Sequence, residues 1–408
     1  MINTENSLSR KLILPLVILE IFSQLVLVKY HADLASIIYL ILGLAIGCLM
    51  MSAKKKEQIQ TTNSSSLLWR NVILLTGILM LGAYAKDLFM EIPLDYKTAD
   101  MLPIMQIMNE RFLTGSDPYE IIPEIWGGMQ PIYLPGLWLS YLPAIAFDFD
   151  MRWVSVAGLC ISSAVIYSNR QSTRQFISPL TILPLILLLV LIISVDSTLL
   201  TMTQESIIVL WYICMIWSLL NNRPYLFGLF AALSLLSRYA IAPWLLMIGI
   251  LLIITKRISF LKRSVLVGAT TLAILILISG AYQYSDVFLG LSDSYLNDIQ
   301  SNQAKYQGLI IHGLGIAKFF PYDQLNHLHS LMQYVAIITP IGLSAVYLSR
   351  RKPYFFDYFA LGSLKICLVL FYNMIIMPYS YLFYPSTFLS LLILVQLCKR
   401  NSSMTERL

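Results

Sequence analysis

Asp95, Asp100, Glu110, Asp117 and Glu124 crowd into residues 94–136 of a chain that is otherwise poor in charge. Carboxylates at this density can take a proton from a hydroxyl or hold a cation. The groups that could complement them are scattered: Arg111 in the same stretch, Gln204 and Glu205 in a short polar break, Arg238 at the end of an apolar run, and Lys305 in a second polar segment. His327 and His329 are two apart and leave a helix on different faces, so no zinc site is expected. No HExxH, P-loop or GxSxG pattern is present. Cys48, Cys160, Cys214, Cys367 and Cys398 lie in or beside apolar runs without CxxC spacing. They read as buried small hydrophobes, with neither a disulfide framework nor a metal site.

The elements that must position these groups are membrane helices. The chain is 58% hydrophobic and only 12% charged, about half the charge of an ordinary soluble domain. Continuous apolar runs fall at 12–29, 33–53, 71–90, 152–169, 178–195, 206–221, 225–239, 241–255, 264–282, 327–348, 356–374 and 381–397. Their continuity excludes a β-barrel, whose strands alternate. The fold class expected is therefore an all-α polytopic membrane protein. Lys54–Lys56, Arg170 with Arg174, Arg223, Lys256–Arg257 with Lys262–Arg263, Arg350–Lys352 and Lys399–Arg400 mark the turns between runs. Placed together in the cytoplasm they give about twelve spans with both termini inside. The net charge of +6 is thus topological and does not point to nucleic acid. The first run follows Arg10-Lys11 without a small-residue cleavage pattern and reads as a retained helix. Residues 133–147 would invert every later basic loop if they crossed. They read as a re-entrant or interfacial helix, the alternative being a thirteenth span.

Four segments then share the outer side: 91–132, 195–206, 283–326 and 378–385. In the first, Met101, Ile104, Met105, Met108 and Phe112 form one apolar face at helical spacing, opposite Asp100, Gln106 and Glu110. That pattern fits a helix lying in the interface plane. Pro103 suits only its first turn, which puts Asp100 at its start, where an aspartate can also serve simply as a cap. Gly115 closes the helix, and Asp117-Pro118 predicts the start of a second short one. Glu20 and Lys365 are charges within apolar runs, which default to functional roles facing the bundle interior.

An acidic residue after an outward span, an amphipathic helix, then "TGSDPY" and "YLPG", resembles the GT-C-fold glycosyltransferases that use polyprenyl-phosphate sugars, in their bacterial mannosyltransferase-like branch. The stretch 203–257, from "TQESIIVLW" through "LLSRYAIAPW" to Lys256-Arg257, is similar to the family's run from a Gly-Gln/Asn loop to a basic loop. Here Tyr133-Leu134-Pro135 stands where the family has Tyr-Pro-Pro, Arg238 where it commonly has Lys, and Thr203 where it has Gly. The resemblance implies a GT-C-type bundle with interfacial helices in its first outer loop. It divides the chain into two N-terminal helices (1–66), a catalytic module (67–282) and a C-terminal part (283–408). It implies transfer of a hexose, mannose above others, from a polyprenyl-phosphate donor to an extracytoplasmic acceptor with inversion. Asp100 matches the base, with Asp95 as its substitute or neighbour. Arg238 matches the donor-phosphate position, and Lys305 and Arg111 are further candidates. Tyr119, Tyr133, Gln204, Glu205, Gln303 and Tyr381 are candidates for contacts to sugar or acceptor. No cofactor is expected, a divalent metal is possible but not indicated, and "DFD" at 148–150 reads as a solvated pair at a helix end. Partners would be the lipid-linked donor, membrane lipid, and a glycan, lipid or protein acceptor; the location would be the inner or plasma membrane of the cell. Two other classes fit the same layout: a lipid-glycan flippase, and a polymerase or ligase using polyprenyl-diphosphate donors. The latter would place paired arginines in the second outer loop, and 283–326 contains none.

Overall fold

A computed structural model describes residues 4–30, 32–53, 65–167, 181–349 and 356–398. The basic runs at 54–56, 170–174, 350–352 and 399–400 lie outside the described residues. Helices dominate, and among the described residues there is no strand beyond a single bridge pairing Ile122 with Met129.

The chain opens with α1 (Thr4–Phe22), which passes through a π-helical turn at Ser23–Leu27 into α2 (Val28–Tyr30); α3 (Ala32–Ser52) and α4 (Ser65–Glu91) follow. The first polar excursion carries α5 (Met101–Thr114), α6 (Pro135–Trp138) and α7 (Leu142–Ala146). Then come α8 (Arg152–Tyr167), α9 (Leu183–Ser194), the short α10 (Thr198–Thr201), α11 (Glu205–Leu220), α12 (Pro224–Leu235), α13 (Ala242–Ile254) and α14 (Ile258–Ile278). A second excursion holds α15 (Ser285–Ser301) and α16 (Gln303–His312), and α17 (Leu325–Ser349), α18 (Phe356–Met374) and α19 (Tyr384–Cys398) complete the bundle.

Each expected apolar run is largely helical over its described residues, and helices long and apolar enough to cross a bilayer are among them. Six described segments meet that standard: Leu12–Tyr30, Asp33–Ser52, Ile258–Ile278, Tyr322–Ser349, Phe356–Met374 and Ser380–Cys398. The helices at 152–167, 183–194, 205–220, 224–235 and 239–254 are shorter. Residues 135–146 break into α6, a 3-10 turn and α7. At roughly 1.5–2 Å per residue these pieces fall well short of the ~30 Å hydrocarbon layer.

Side-chain distribution agrees with a lipid surround. α18 and α19 are almost wholly enclosed, whereas α14 turns Val265, Leu266, Ile274, Leu277 and Ile278 outward. A contiguous apolar face of this kind is unfavourable in water and ordinary against acyl chains. With lipid as solvent, close approach of small residues holds the helices together. α3 and α18 meet at Gly43, Gly47 and Gly362, where a methyl on Gly362 would lie 2.6 Å from the Gly47 carbonyl. α12 and α14 approach still more closely: a methyl on Gly228 would lie 2.1 Å from the Ser264 carbonyl oxygen.

The polar segments collect at one end of the bundle. The Gly136 amide donates to the Leu236 carbonyl at 3.1 Å, that of Leu314 to Pro378 at 2.8 Å, and that of Ile316 to Asn373 at 2.8 Å. Ser380 Oγ donates to Asp196 Oδ2 at 3.0 Å. Lys318 Nζ lies 3.9 Å from Asp33, at the start of α3. The segments that charge patterning groups on one side are therefore joined by direct contacts.

Candidate functional site

α5 forms as its spacing predicts. Leu102, Ile104, Met105, Met108 and Asn109 are buried, and Pro103 sits in the first turn. Gly115 ends the helix at φ 76°, a left-handed conformation that suits glycine. Asp100 occupies the N-cap position, its carbonyl accepting the Ile104 amide at 2.9 Å, but its carboxylate makes no capping hydrogen bond. Asp95 shapes the approach: its Oδ1 accepts the Lys97 amide at 3.1 Å and its carbonyl accepts the amides of Thr98 and Ala99. This Asx-type turn delivers the chain to Asp100.

Beyond α5 the expected second helix does not form. Pro123, Trp126 at φ 53°, and Gly127 and Gly128 at φ 79° and 126° fold residues 122–129 back on themselves. Ile122 and Met129 exchange amide–carbonyl bonds of 2.9 and 3.0 Å. Asp117 caps the preceding turn through the Tyr119 amide at 2.9 Å and accepts the Tyr284 hydroxyl, tying the two excursions together. That bond, ahead of burial, pushes the Tyr284 phenol up to about 12. Tyr119 is wholly enclosed by Trp138, Tyr284 and Phe288. Its hydroxyl donates to the Tyr133 carbonyl at 3.1 Å and accepts the Trp138 indole N–H at 3.0 Å. Tyr119 is thus loop framework, with no ring face to offer a sugar. Arg111 braces the same loop, donating to the carbonyls of Glu120 and Ile121.

The centre of the site lies where α11 begins and α12 ends. Gln204 is the N-cap residue of α11, and Thr203, Gln204 and Glu205 are all buried. Glu205 Oε1 pairs with the Arg238 guanidinium. Glu205 Oε2, Gln204 Oε1 and Thr203 Oγ1 are buried with no hydrogen-bond partner. Ser206 Oγ is the same, so four consecutive residues carry unpartnered oxygens where buried polar groups are ordinarily paired. Arg238 also lies over the ring of Tyr372, its Cζ 5.8 Å from the centroid.

The 375–383 turn completes the cluster. The rings of Tyr379 and Tyr381 stack at 5.1 Å with planes 11° apart. The Tyr381 hydroxyl stands within electrostatic reach of Glu205, Tyr133 and Arg238. The Tyr379 phenol is pushed up to about 12, first by burial and then by the negative charge of Tyr306 and Asp100 nearby. Asp100, Tyr133, Glu205, Gln204, Arg238 and Tyr381 therefore share one end of the bundle and its electrostatic field. Gln303 is exposed on the first turn of α16, and the Lys305 side chain lies outside the described residues.

Ala240, Pro243 and Trp244 line a shallow crevice with Val335 and Thr339 of α17 and Phe371 of α18, beginning two residues along the chain from Arg238.

Three features escaped sequence reasoning. Glu205 and Arg238 are 33 residues apart and could be paired only by knowing that α11 and α12 are antiparallel. Tyr212 and Tyr372, which face Arg238, look like ordinary aromatic residues within apolar runs. Arg152 looks like a topology charge yet clasps the first excursion. Its guanidinium binds Asp150 and donates to the carbonyls of Phe89 and Ile92 at the end of α4. Asp148 is exposed at φ 52°. Among the described residues no group of His, Cys, Asp and Glu has the proximity to hold a metal.

Comparison with family models, curated proteins and solved structures yields no match to this chain.

Proposed function

We propose that the chain is a GT-C-type membrane glycosyltransferase that moves a hexose, mannose in the first instance, from a polyprenyl-phosphate donor to an acceptor on the extracytoplasmic side. In this reading both termini are cytoplasmic and the polar end of the bundle faces outward. Asp100 takes the proton of the acceptor hydroxyl as its oxygen attacks the anomeric carbon from the face opposite the donor phosphate. The bond from that carbon to the phosphate oxygen breaks and the configuration inverts. Arg238 neutralises the charge left on the departing lipid phosphate, where a preformed cation is most effective. Its guanidinium has donors beyond those that meet Glu205. Gln204 and Glu205 receive sugar hydroxyls on their unpartnered oxygens, and Tyr381 and Tyr133 flank them.

One observation carries this reading. An arginine whose side chain is 18% exposed lies at the same end of the bundle as the aspartate that opens α5, and helices of the same bundle turn apolar faces outward. An anionic head on a lipid tail fits that juxtaposition. The test is purified protein in liposomes with radiolabelled polyprenyl-phosphate mannose and, in parallel, glucose, followed by analysis of water-soluble and lipid products. Label leaving the polyprenyl carrier supports the proposal. Label that stays on its carrier but crosses the bilayer would establish a flippase instead.

A further inference from the structure

The Glu20–Lys365 pair takes no part in the chemistry proposed above. Both residues are fully buried. Lys365 Nζ binds Glu20 and donates to Ser386 Oγ at 2.7 Å and to the Ser386 carbonyl at 2.9 Å. It also sits 5.6 Å from the centroid of the Tyr39 ring. The pair therefore joins α1, α3, α18 and α19.

From there a line of buried polar groups runs to the polar end of the bundle. Tyr39 OH lies 3.0 Å from Thr387 Oγ1 and donates to the Phe383 carbonyl at 3.3 Å. Thr387 donates to Gln24 Oε1, and Gln24 Nε2 donates to the Ser380 carbonyl at 3.1 Å. Gln24 lies in the π-helical turn Ser23–Leu27. Such turns rotate a side chain away from its α-helical direction and recur at functional sites. Ser380 Oγ continues to Asp196 at 3.0 Å, and Asp196 caps Thr198 at the start of α10. Thr203, Gln204 and Glu205 follow directly.

Below Glu20, α1 runs Leu12–Leu19 without a polar side chain. The hydrogen-bonded line runs the other way and reaches two site-bearing segments: the 379–383 turn with Tyr379 and Tyr381, and the 196–205 stretch with Gln204 and Glu205.

We infer that Glu20 and Lys365, acting through Tyr39, Thr387, Gln24 and Ser380, are positioning residues that fix these two segments relative to one another. The ion pair sets the register of the helices, and the hydrogen-bonded line transmits it to the turn. The catalytic consequence rests on the glycosyl-transfer reading; the structural consequence does not.

Thr387→Val keeps the shape and removes the hydroxyl that Gln24 and Tyr39 share, while Thr387→Ser retains it. The first readout is hydrogen–deuterium exchange of the full chain in detergent. Thr387→Val raises exchange at least about threefold in 375–383 and 195–204, with α14 unchanged, and Thr387→Ser stays at wild type. The double variant Glu20→Leu/Lys365→Met, which leaves no unpaired charge, does the same. The second readout is transfer: Thr387→Val lowers kcat by about 10–100-fold with the donor KM within about threefold, as misplacement of about 1 Å predicts. Exchange unchanged in both segments for a folded Thr387→Val protein and for the double variant overturns the inference. Raised exchange in a protein whose wild type transfers no sugar leaves the inference standing and removes the proposed function.

Discussion

Replacing Asp100 by alanine separates two roles that its position alone allows. A capping aspartate contributes about 0.5–2 kcal/mol to its helix, and alanine forfeits that. A general base contributes about 10²–10⁴ in rate, equivalent to roughly 3–5 kcal/mol in the barrier. Here the carboxylate makes no capping bond and α5 is held by its buried face and by Gly115. The capping part of the stability term should therefore be near zero and the rate term whole. For a chain of this size even 1 kcal/mol would move the midpoint by only ~2–4 °C or less. Asp100→Ala should melt within about 2 °C of wild type in detergent while transfer from labelled polyprenyl-phosphate sugar falls at least about 100-fold. Asp100→Asn should behave alike, since asparagine caps as well as aspartate but takes no proton at neutral pH. An alanine variant that melts lower yet transfers within threefold of wild type would refute the assignment and leave Asp100 a structural residue.

Other outcomes follow from the geometry. Arg238→Gln leaves Glu205 buried and unpaired and should cost about 3–5 kcal/mol, which thermal or denaturant melting would register, with much of it recovered in the Arg238→Gln/Glu205→Gln double variant. Gly228→Leu must push α14 off α12, because the Ser264 carbonyl occupies the space of its Cβ, and should abolish the folded peak in size-exclusion chromatography. Burial lowers the Lys318 ammonium to about 8, against the opposing pull of Asp33. A lysine depressed in the folded state carries its full cost below that value. The cost is relieved as pH rises through it towards the unfolded value near 10.4, so wild type should gain in midpoint from pH 7.5 to 9.5 relative to Lys318→Met. Tyr284→Phe removes the tie to Asp117 and should cost about 1–2 kcal/mol, with faster exchange at 117–122.

The helices were legible because apolar runs between basic marks leave little freedom: 33–53 was expected and 32–52 is found, and 356–374 coincides. Where each helix stops was not, since α9 and α12 are mainly apolar yet only 12 residues long, and hydropathy does not report a helix end. The placement of Asp100 and Arg238 at the ends of helical elements was legible from residue type and spacing. The pairing of Arg238 with Glu205 was not, because it depends on how two consecutive helices turn. Tyr119 shows the opposite limit. An aromatic residue after Asp-Pro suggests a ligand platform, but three neighbouring rings enclose it, and no local pattern announces them. The hairpin at 122–129 was missed because two glycines and a left-handed Trp126 outweigh the helix-starting signal of Asp117-Pro118.

The clasp at Arg152 has a wider consequence. Because one guanidinium grips both the last carbonyls of α4 and Asp150 just ahead of α8, the long span of chain between them leaves and re-enters the bundle at a single point. Its far parts are held as well, by the Gly136 amide on the Leu236 carbonyl and by the Tyr284 hydroxyl on Asp117. The stretch that presents Asp100 is thus anchored at its neck and along its length, and changes in its loops must respect both sets of contacts.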